Sequence, residues 1–563
     1  MELSGAQAVW ECLVREGVDT VFGISGGAVI QLYHDLLDYP IRHVLMRHEQ
    51  AAAHAADGYA RATGRVGVCL ATSGPGATNL ITGIATAMMD SSPMVAITGQ
   101  VPSPLLGTDA FQEVDITGAT LPIVKHSYLV TDVADVPQAI RSAFHIARTG
   151  RPGPVLVDIT KDAQMARTEF AYPDAVDLPG YRPDEESGLE QIGTAAQLLN
   201  EAHRPLVIAG RGTIISGAHQ ELRQMVETAN LPVVTTLLGI GVLPETHPLC
   251  LRMGGMHGEV TANRAVQAAD VILAIGMRFD DRFTGAVSAF APHSTIIHID
   301  IDAAEIDKNV IVQLPIRGDA RDVLQRLLPL VRPAERHQWW AEIEEWRKDT
   351  ASTDILSKKS TQLLPQYVIR MIWEATKGDA IMVSDVGQNQ MWEAQYYLHK
   401  QACGLISSGG LGTMGFGLPA GIGAIVGRPD EIAWVIAGDG GFQMTMQELA
   451  VVAHEKLPLK IAVLNNGYLG MVRQWQEEFF DRRYSATELF NPDFARLAEA
   501  YGIQGIVVED QEEVGPAIKE AMDFDGPVLL EFRIEKEQNV YPLVAPGKAL
   551  DQMIRRPQKT GRE

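Results

Sequence analysis

The feature that most constrains the fold of this chain is a pair of short apolar segments joined by a single helical stretch. Residues Glu431–Ala437 and Leu459–Leu464 have the composition of buried strands, and a helical pattern runs between them from Gln443 to about Glu455. A connection of this length joins parallel strands, which occur in sheets covered by helices. The same alternation recurs along the chain, for example at the expected strands Val66–Ala71 and Met94–Thr98. The sequence therefore predicts an α/β protein with doubly wound, mainly parallel sheets.

The length of the chain, 563 residues, is too great for one hydrophobic core. Two segments break the alternation and are expected to be linkers: residues 166–189, rich in proline and acidic side chains, and residues 333–361, with many charges and several tryptophans. In the second we expect a helical connector followed by a loop. These breaks predict domains at residues 1–165, 190–332 and 363–540, and a C-terminal tail, 541–563. The tail is expected to be mobile at its very end, and its basic residues include Arg555, Arg556, Lys559 and Arg562.

The net charge of −23 at pH 7 argues against a nucleic-acid partner, because phosphate binding requires clustered Lys and Arg. A site for a carboxylate or a diphosphate must then supply its own cations or aligned amides. The four cysteines form no C-x-x-C pair, so neither a disulfide framework nor a thiolate metal site is expected. There is no signal-peptide pattern, and the longest weakly polar stretch, 415–427, is too short to span a bilayer. We therefore expect a cytoplasmic protein with no membrane partner.

Polar residues follow both of the expected strands Glu431–Ala437 and Leu459–Leu464. Asp439 lies in the run Gly-Asp-Gly-Gly after one strand, and Asn466 follows the other strand, one crossover further on. The carboxyl ends of parallel strands meet at one edge of the sheet, so we expect these side chains to lie close together. Carboxylate, amide and carbonyl oxygens suit Mg²⁺, and the glycines let backbone amides approach a diphosphate. Either motif alone could be an ordinary turn, but together they favour a magnesium and diphosphate site.

Glu49 is the candidate for a carboxylate that activates a bound cofactor. It lies in the run Arg-His-Glu-Gln after the expected strand Ile41–Met46, and taken alone this run could be a solvated helix start. A glycine-rich turn follows at residues 72–79, Thr-Ser-Gly-Pro-Gly-Ala-Thr-Asn, where a ligand can approach the backbone closely. In a nearly dry pocket, burial and a hydrogen-bond partner on the ligand would together set the proton occupancy of this glutamate.

These motifs together resemble those of the thiamin-diphosphate-dependent enzymes. They are Gly-Asp-Gly at 438–440, Asn-Asn at 465–466, Arg-His-Glu-Gln at 47–50 and the turn at 72–79. The resemblance implies that Glu49 bonds the pyrimidine ring of that cofactor. It also implies that Asp439, Asn466 and the Tyr468 carbonyl bind Mg²⁺. In chain order, the domains would bind the pyrimidine, a flavin and the diphosphate. A homodimer or homotetramer is implied, with active sites at the subunit interface and Glu49 of one chain facing Asp439 of another.

Four further segments are similar to the acetohydroxyacid (acetolactate) synthase catalytic subunits: residues 107–113, 276–282, 407–417 and 470–476. This resemblance, which covers nearly the whole chain, implies decarboxylation of pyruvate and transfer of the two-carbon unit to a second 2-keto acid. The product would be 2-acetolactate with pyruvate as acceptor, and 2-aceto-2-hydroxybutyrate with 2-ketobutyrate. These reactions open branched-chain amino-acid (valine, leucine, isoleucine) biosynthesis. A regulatory small subunit is also implied.

The resemblance assigns catalytic roles to further side chains, and all of these except Gln112 have a plainer alternative. Met414 would support the bent cofactor, although a methionine more commonly fills a core. Gln112 would line the active site. Lys161 would lie near the substrate, although a solvated lysine at a strand end is an alternative.

Two of these side chains would hold the second keto acid. Arg278 would bind its carboxylate through the planar guanidinium, or else pair with Asp280 or Asp281 on the surface. Trp475 would contact the alkyl group of the acid and favour 2-ketobutyrate over pyruvate, or else pack in a core.

Other residues carried over from the resemblance surround the two organic cofactors. Those around thiamin diphosphate are Gly387, Gln388, Asn389, Gly412, Gly438, Gly440, Gly470 and Met471. FAD, which is regarded as structural in this family because the reaction has no net redox step, would bind the central domain. The residues around it are Arg151, Gly210, Gly212, Thr236, Leu237, Gly255, Met256, His257, Gly276, Arg278, Asp280, Glu305, Ile306 and Asp319.

The chain departs from the family pattern at Ser25, Asn389 and Thr160, where Pro, His and Pro are usual. Asn389 can donate to a diphosphate oxygen but carries no charge, so the affinity for the cofactor is in question. The nearest alternatives are a pyruvate oxidase, a simple 2-keto-acid decarboxylase and a flavin-free acetolactate synthase. A protein that binds the cofactor without turnover is a further alternative. The sequence contains no His-His pair, which argues against the decarboxylases.

Overall fold

In the computed structural model, which describes residues 1–183, 185–351, 354–357, 360 and 362–557, the chain forms three six-stranded parallel sheets. Each sheet belongs to a separate α/β domain, so the predicted fold class is confirmed. Lys559 and Arg562, and with them the expected mobile end of the tail, lie outside the described residues. Within the described ranges, no helix has both the length and the apolar character needed to cross a membrane.

The N-terminal sheet has hydrophobic clusters on both faces. Its strand Gly67–Ala71 is buried throughout, with Cys69 and Ala71 in one cluster and Val68 and Leu70 in the other. The spatial order of its strands is Arg42–Leu45, Thr20–Gly23, Gly67–Ala71, Met94–Gln100, Pro154–Thr160 and His126–Val130. The α-helices of this domain are Gly5–Arg15, Ile30–Asp35, Glu49–Thr63, Pro75–Asn79, Ile81–Met89, Ile116–Thr120, Val136–Arg148 and Lys161–Met165. Its 3-10 turns are Leu36–Asp38, Ser103–Leu105, Leu121–Ile123 and Val133–Asp135.

The central sheet has the spatial strand order 3-2-1-4-5-6, the order of dinucleotide-binding folds. Its strands, in that spatial order, are Cys250–Met253, Val233–Thr235, Pro205–Ala209, Val271–Ile275, Thr295–Asp300 and Leu314–Arg317. Its α-helices are Ile192–Glu201, Arg211–Ile215, His219–Ala229, Val260–Ala268, Asp281–Thr284 and Ala320–Leu327. Its 3-10 turns are Leu189–Gln191, Leu237–Gly239, Val287–Ala289 and Leu328–Leu330.

The C-terminal sheet contains the strands expected at Glu431–Ala437 and Leu459–Leu464. Its spatial order is Leu405–Ser407, Ile381–Ser384, Ala433–Gly438, Lys460–Asn465, Val528–Arg533 and Gln504–Val508. Its α-helices are Pro365–Thr376, Gln388–Tyr396, Gly417–Gly427, Asp439–Thr445, Leu449–His454, Gly470–Phe479, Phe494–Ala500 and Gln511–Asp523. The 3-10 turns are Ile355–Ser357 and Met446–Glu448.

The five expected strands are present with small shifts at their ends, but the helix expected from Gln443 begins earlier, at Asp439. The glycines after Asp439 are therefore helical rather than part of a turn. A Cβ at Gly441 would lie 2.5 Å from Oδ1 of Asp385. The glycine run thus serves close approach of a neighbouring carboxylate.

The two linkers pack on the domains that they follow, whereas the tail packs on the central domain. Residues 167–169, inside the expected first linker, form a strand that pairs antiparallel with Glu2–Ser4. The expected helical connector is His337–Ala351, and its Trp339 packs in the core of the central domain. In the tail, Leu543–Val544 pairs with Met553–Ile554, and Val544 enters the same core.

The N- and C-terminal domains share one hydrophobic core, which is built around the helices Glu49–Thr63 and Gly417–Gly427. The two backbones touch through small residues. A Cβ at Gly423 would overlap the carbonyl oxygen of Ala55, and a Cβ at Gly58 would overlap that of Ala420. The relative position of the two domains therefore depends on the absence of side chains at this crossing.

We expect Gly423→Ala to lower the free energy of unfolding by about 1–3 kcal/mol, since an inserted methyl group forces the packed backbones apart. Gly193→Ala is the matched control, because Gly193 is also helical but has no heavy atom within 4 Å of the added Cβ. This control should be neutral or stabilising by about 0.5–1 kcal/mol. Urea denaturation measures both changes, and equal effects of the two substitutions would show that the crossing tolerates a side chain.

Candidate active site

A small cavity lies at the C-terminal sheet where the strand order reverses, between the carboxyl ends of Ile381–Ser384 and Ala433–Gly438. Ligands of open α/β sheets bind at such positions. Nearly all of the residues expected around thiamin diphosphate and Mg²⁺ line it: Gly387, Gln388, Asn389, Met414, Gly438, Asp439, Gly440, Asn466, Tyr468, Gly470 and Met471. Gly412 lines the neighbouring larger cavity instead.

Asp439 is buried and accepts several hydrogen bonds. The Gly440 amide donates to Oδ1 at 3.0 Å, whereas the Gly467 amide and the Asn491 side chain donate to Oδ2 at 2.8 and 2.6 Å. Burial raises the pKa of Asp439 to about 6, against the opposing effect of these donors. The carboxylate is thus preorganised in a site where a cation would stabilise its charge.

Other oxygen atoms that could bind a metal ion lie with Asp439 in the cavity. Asn466 lies at its edge, and its Oδ1 accepts from the Tyr468 amide at 3.0 Å. Within the described ranges, no group of three or more His, Cys, Asp or Glu side chains could hold a metal ion. A carboxylate, an amide oxygen and a backbone carbonyl fit Mg²⁺, a hard cation that keeps water and phosphate in its shell.

Asn389, one of the departures from the family pattern, is fixed by the main chain. Its Nδ2 donates to the carbonyl oxygens of Asp385 at 2.8 Å and Ile436 at 3.1 Å. Its Oδ1 lies beside the two glycines of the cavity wall, 2.7 Å from the position of a Cβ at Gly387 and 3.2 Å from one at Gly438. In this structure the amide therefore joins two strand ends.

A much larger cavity, about 1620 Å³, opens between the central domain and both flanking domains. Of the residues expected around FAD, most line it: Arg151, Gly212, Thr236, Leu237, Met256, His257, Gly276, Arg278, Asp280, Glu305 and Asp319. Gly210, Gly255 and Ile306 are not among its lining residues. The backbone at Gly276 has φ +56°, and a Cβ there would lie 2.5 Å from Cα of Gly212.

The segment 407–417, which we call the wall segment, separates the two cavities. Met414 lines both of them and is only half-buried, so it is not a core methionine. Gly387, Met471 and Val472 also border both cavities. The two cavities therefore adjoin each other along these residues.

Arg278 of the central domain and Trp475 of the C-terminal domain both line the large cavity. Arg278 has a loose ion pair with Asp280, 3.6 Å between Nη2 and Oδ2, and is 26% exposed. Trp475 is half-buried, with its ring centroid 5.4 Å from that of Phe479 and 5.7 Å from the guanidinium carbon of Arg282. The guanidinium of Arg278 can therefore bind a further anion, and the indole ring of Trp475 offers an apolar face to the cavity.

The remaining expected residues lie on the N-terminal domain and line neither of these two cavities. Glu49 starts its helix and accepts from Nδ2 of Asn79 at 2.9 Å. Gln112 lies against the same glycine-rich turn, with its carbonyl oxygen 2.8 Å from the position of a Cβ at Gly74. Lys161 begins the short helix that follows Pro154–Thr160. The structure thus brings Glu49 and Gln112 to one turn, apart from Asp439.

Several residues that shape the site were missed by sequence reasoning. Asp385 follows a strand directly, so its position could have indicated a role. Burial raises its pKa to about 6, and it accepts from the amides of Gly415 and Gly417 in the wall segment at 3.0 and 2.9 Å. Asn491 and Glu448 lie in segments that carry no motif, so no sequence signal pointed to them.

Models of three domains of thiamine pyrophosphate enzymes match the chain. The N-terminal TPP binding domain matches residues 3–119, the central domain residues 192–327, and the C-terminal TPP binding domain residues 385–532. With the fold and the small cavity, these matches define the chain as a thiamine pyrophosphate enzyme.

Full-length relatives are more specific. The acetolactate synthase large subunit of Corynebacterium glutamicum is 50% identical over 560 residues, 97% of this chain and 89% of that protein. The isozyme 3 large subunit of acetolactate synthase from Escherichia coli is 46% identical over 566 residues, 98% of each chain. The large subunit from Porphyra purpurea is 46% identical over 567 residues, 98% of this chain and 95% of that protein. The chain belongs to the family of acetolactate synthase large subunits.

Glu448 of the C-terminal domain holds the turn that presents Glu49. Both of its oxygens accept from the Arg47 amide, at 3.2 and 3.1 Å, and burial raises the pKa of Glu448 to about 7. A carboxyl group with a raised pKa stabilises the fold while it is protonated, and this contribution is lost as the pH rises through about 7. The contact between the two domains at Arg47 is thus a hydrogen bond whose acceptor titrates near neutral pH.

We expect Glu448→Gln to gain stability relative to the natural protein as the pH rises from about 5 to about 8.5, because glutamine does not ionise. The change in the difference in unfolding free energy should be about 2–3 kcal/mol. Thermal denaturation at the two pH values measures it, with the exposed Glu499→Gln as the control. A difference that is the same at both pH values would mean that Glu448 does not titrate in this interval.

Proposed function

We propose that this chain, with thiamin diphosphate, Mg²⁺ and FAD, decarboxylates pyruvate and transfers the two-carbon unit to a second 2-keto acid. The products are 2-acetolactate from pyruvate and 2-aceto-2-hydroxybutyrate from 2-ketobutyrate, at the first common step of valine, leucine and isoleucine synthesis. The observation that carries this proposal is the shared wall of the two cavities. A cofactor held by Asp439 and Asn466 would face Arg278 and Trp475 across Met414.

The small cavity suits the diphosphate and the metal. Asp439, Asn466 and the Tyr468 carbonyl would hold Mg²⁺, and the glycine-lined wall would admit the diphosphate next to backbone amides. Thiamin diphosphate supplies the carbon nucleophile and the electron sink that decarboxylation of a 2-keto acid requires. Met414 would exclude water from the adjoining side of the site.

The large cavity suits FAD. Its volume, about 1620 Å³, exceeds that of an ordinary ligand pocket, and the central sheet has the strand order of dinucleotide-binding folds. Arg211 borders the cavity, and its buried Nε has no hydrogen-bond partner within the described residues. Such a cation suits the diphosphate of the flavin nucleotide, which the acidic chain would otherwise repel.

The second keto acid would bind between Arg278 and Trp475. The planar guanidinium of Arg278 can take a carboxylate with two parallel hydrogen bonds. The indole face of Trp475 would contact the alkyl group, and the extra methylene of 2-ketobutyrate would bury more apolar surface there than the methyl group of pyruvate. Lys161 and Gln112 would approach the substrates from the N-terminal domain.

The site is proposed to be completed by a second copy of the chain. Glu49 is separate from the Asp439 cavity within one chain, so a partner copy would supply the carboxylate that bonds the pyrimidine ring. This makes a homodimer the minimum assembly, with two sites related by its symmetry axis. A further partner, a regulatory small subunit, is supported by the naming of the relatives as large subunits.

The proposal is tested with purified protein, pyruvate, thiamin diphosphate and Mg²⁺, with and without FAD, by measuring acetolactate after acid conversion to acetoin. Glu49→Gln should lower the rate by on the order of 10²- to 10⁴-fold, because a glutamine cannot exchange a proton with the pyrimidine ring. Glu11→Gln, on the distant helix Gly5–Arg15, is the control. Acetaldehyde as the product, or acetate with reduction of the flavin, would replace the synthase assignment by a decarboxylase or an oxidase.

The two-chain site is tested by complementation. Glu49→Gln and Asp439→Asn should each be inactive, whereas hybrid dimers of the two variants contain one intact site. A random equal mixture should recover roughly a quarter of the natural activity, since half of the dimers are hybrids with one working site of two. A mixture that stays inactive, although mass spectrometry shows the hybrid, would place both residues in a site within one chain.

A further inference from the structure

A buried cluster of charges joins the N-terminal domain to the wall segment. Arg61 donates to both carboxylate oxygens of Asp57 at 2.7 Å and to Oδ2 of Asp90 at 3.0 Å. The three side chains are at most 1% exposed. They all belong to the N-terminal domain, yet the remaining hydrogen bonds of Arg61 and Asp90 cross to the C-terminal domain.

These interdomain hydrogen bonds end on the main chain of the wall segment. Nη1 of Arg61 donates to the carbonyl oxygen of Ser407 at 2.7 Å. Asp90 accepts from the amide of Gly409 at 3.1 Å, through Oδ2, and from the amide of Gly410 at 2.7 Å, through Oδ1. One ion cluster therefore binds three backbone groups at the start of the wall segment, those of Ser407, Gly409 and Gly410.

Contacts further along the wall segment agree with this anchoring. The hydroxyl of Thr86, on the N-terminal domain, lies 2.7 Å from that of Thr413, the residue before Met414. The guanidinium carbon of Arg61 lies 5.1 Å from the centroid of the Phe416 ring. Two residues that flank Met414 in sequence thus contact the N-terminal domain directly.

Gly410 connects the cluster to the proposed acceptor site. A Cβ at Gly410 would lie 2.9 Å from Oδ1 of Asp90, 3.0 Å from Cβ of Met89 and 3.1 Å from Nη2 of Arg278. Asp90 therefore holds the backbone against which the Arg278 guanidinium rests. A shift of Gly410 would move that guanidinium.

The physical effect of such a cluster is to orient the groups around it rather than to stabilise the fold. A buried ion pair is often no more stabilising than apolar side chains of the same volume. A carboxylate, however, can orient two amides and a guanidinium at once, which an apolar filler cannot. The cost of burying these charges is therefore offset by a defined geometry of the wall segment.

We propose that Asp90, held by Arg61, is a positioning residue that sets both Met414 and Arg278 through the wall segment, and so couples the cofactor side of the site to the acceptor side. The acceptor half rests on the proposed function, whereas the cofactor half does not. Asp90 touches neither reacting group in this scheme and acts through the backbone of Gly409 and Gly410.

The test compares Asp90→Asn with Asp158→Asn. Asp158 is an equally buried carboxylate of the same domain, which accepts from Thr98 at 2.7 Å and from Gln100 at 3.0 Å and does not contact the wall segment. Thr86→Val is a milder second variant, which removes the hydroxyl contact to Thr413 together with the bond that this hydroxyl donates to the Thr82 carbonyl oxygen at 2.9 Å within the N-terminal domain. Calorimetric titration of the cofactor-free full-length protein with thiamin diphosphate and Mg²⁺ gives Kd without any turnover.

Asp90→Asn should raise Kd for the cofactor by about ten-fold or more relative to Asp158→Asn at a similar Tm, and Thr86→Val should raise it in the same direction. The rate should fall by on the order of 10²-fold, as expected for a misplacement near 1 Å. With both keto acids present, the ratio of the two products should also change. If Kd of Asp90→Asn and of Thr86→Val matches that of Asp158→Asn, the positioning role is refuted, whatever reaction the natural protein performs.

Discussion

The packing of the helix Glu49–Thr63 against the helix Gly417–Gly427 is the contact on which the rest of the structure depends. Its glycines and alanines bring two backbones together, so the N- and C-terminal domains share one core. Glu49 begins the first helix, and the second follows the wall segment that carries Met414. A single helix crossing therefore fixes the positions of both Glu49, the proposed activating carboxylate, and the wall segment.

The wall segment is held by buried carboxylates from two domains. Asp90 of the N-terminal domain accepts from the amides of Gly409 and Gly410. Asp385 of the C-terminal domain accepts from those of Gly415 and Gly417. Charges are costly to bury, so their presence on both sides of a glycine-rich segment indicates that geometry is selected there. These acceptors restrict the conformational freedom that the glycines would otherwise give this backbone.

Local patterns predicted the strands well, because a strand buried on both faces is a continuous apolar run. They predicted the start of the helix after Gly438 less well, because the glycines at positions 440 and 441 resemble a turn in sequence and are helical in the fold. The residues around both cofactors came from long motifs, and most of them do line the two cavities. Glu448 and Asn491 could not be found in this way, since each acts through a contact with a residue far away in the sequence.

The sequence by itself determined the alternation of strands and helices, the three-domain α/β architecture and the identity of the polar residues at the strand ends. These follow from periodicity and short-range chemistry, which are written in neighbouring residues. Only the tertiary structure decided that Met414 separates two cavities, that Glu448 binds the Arg47 amide, and that Asp90 reaches Gly410. Such pairings depend on how closely helices and loops of different domains approach, and that distance is set by packing across the whole chain.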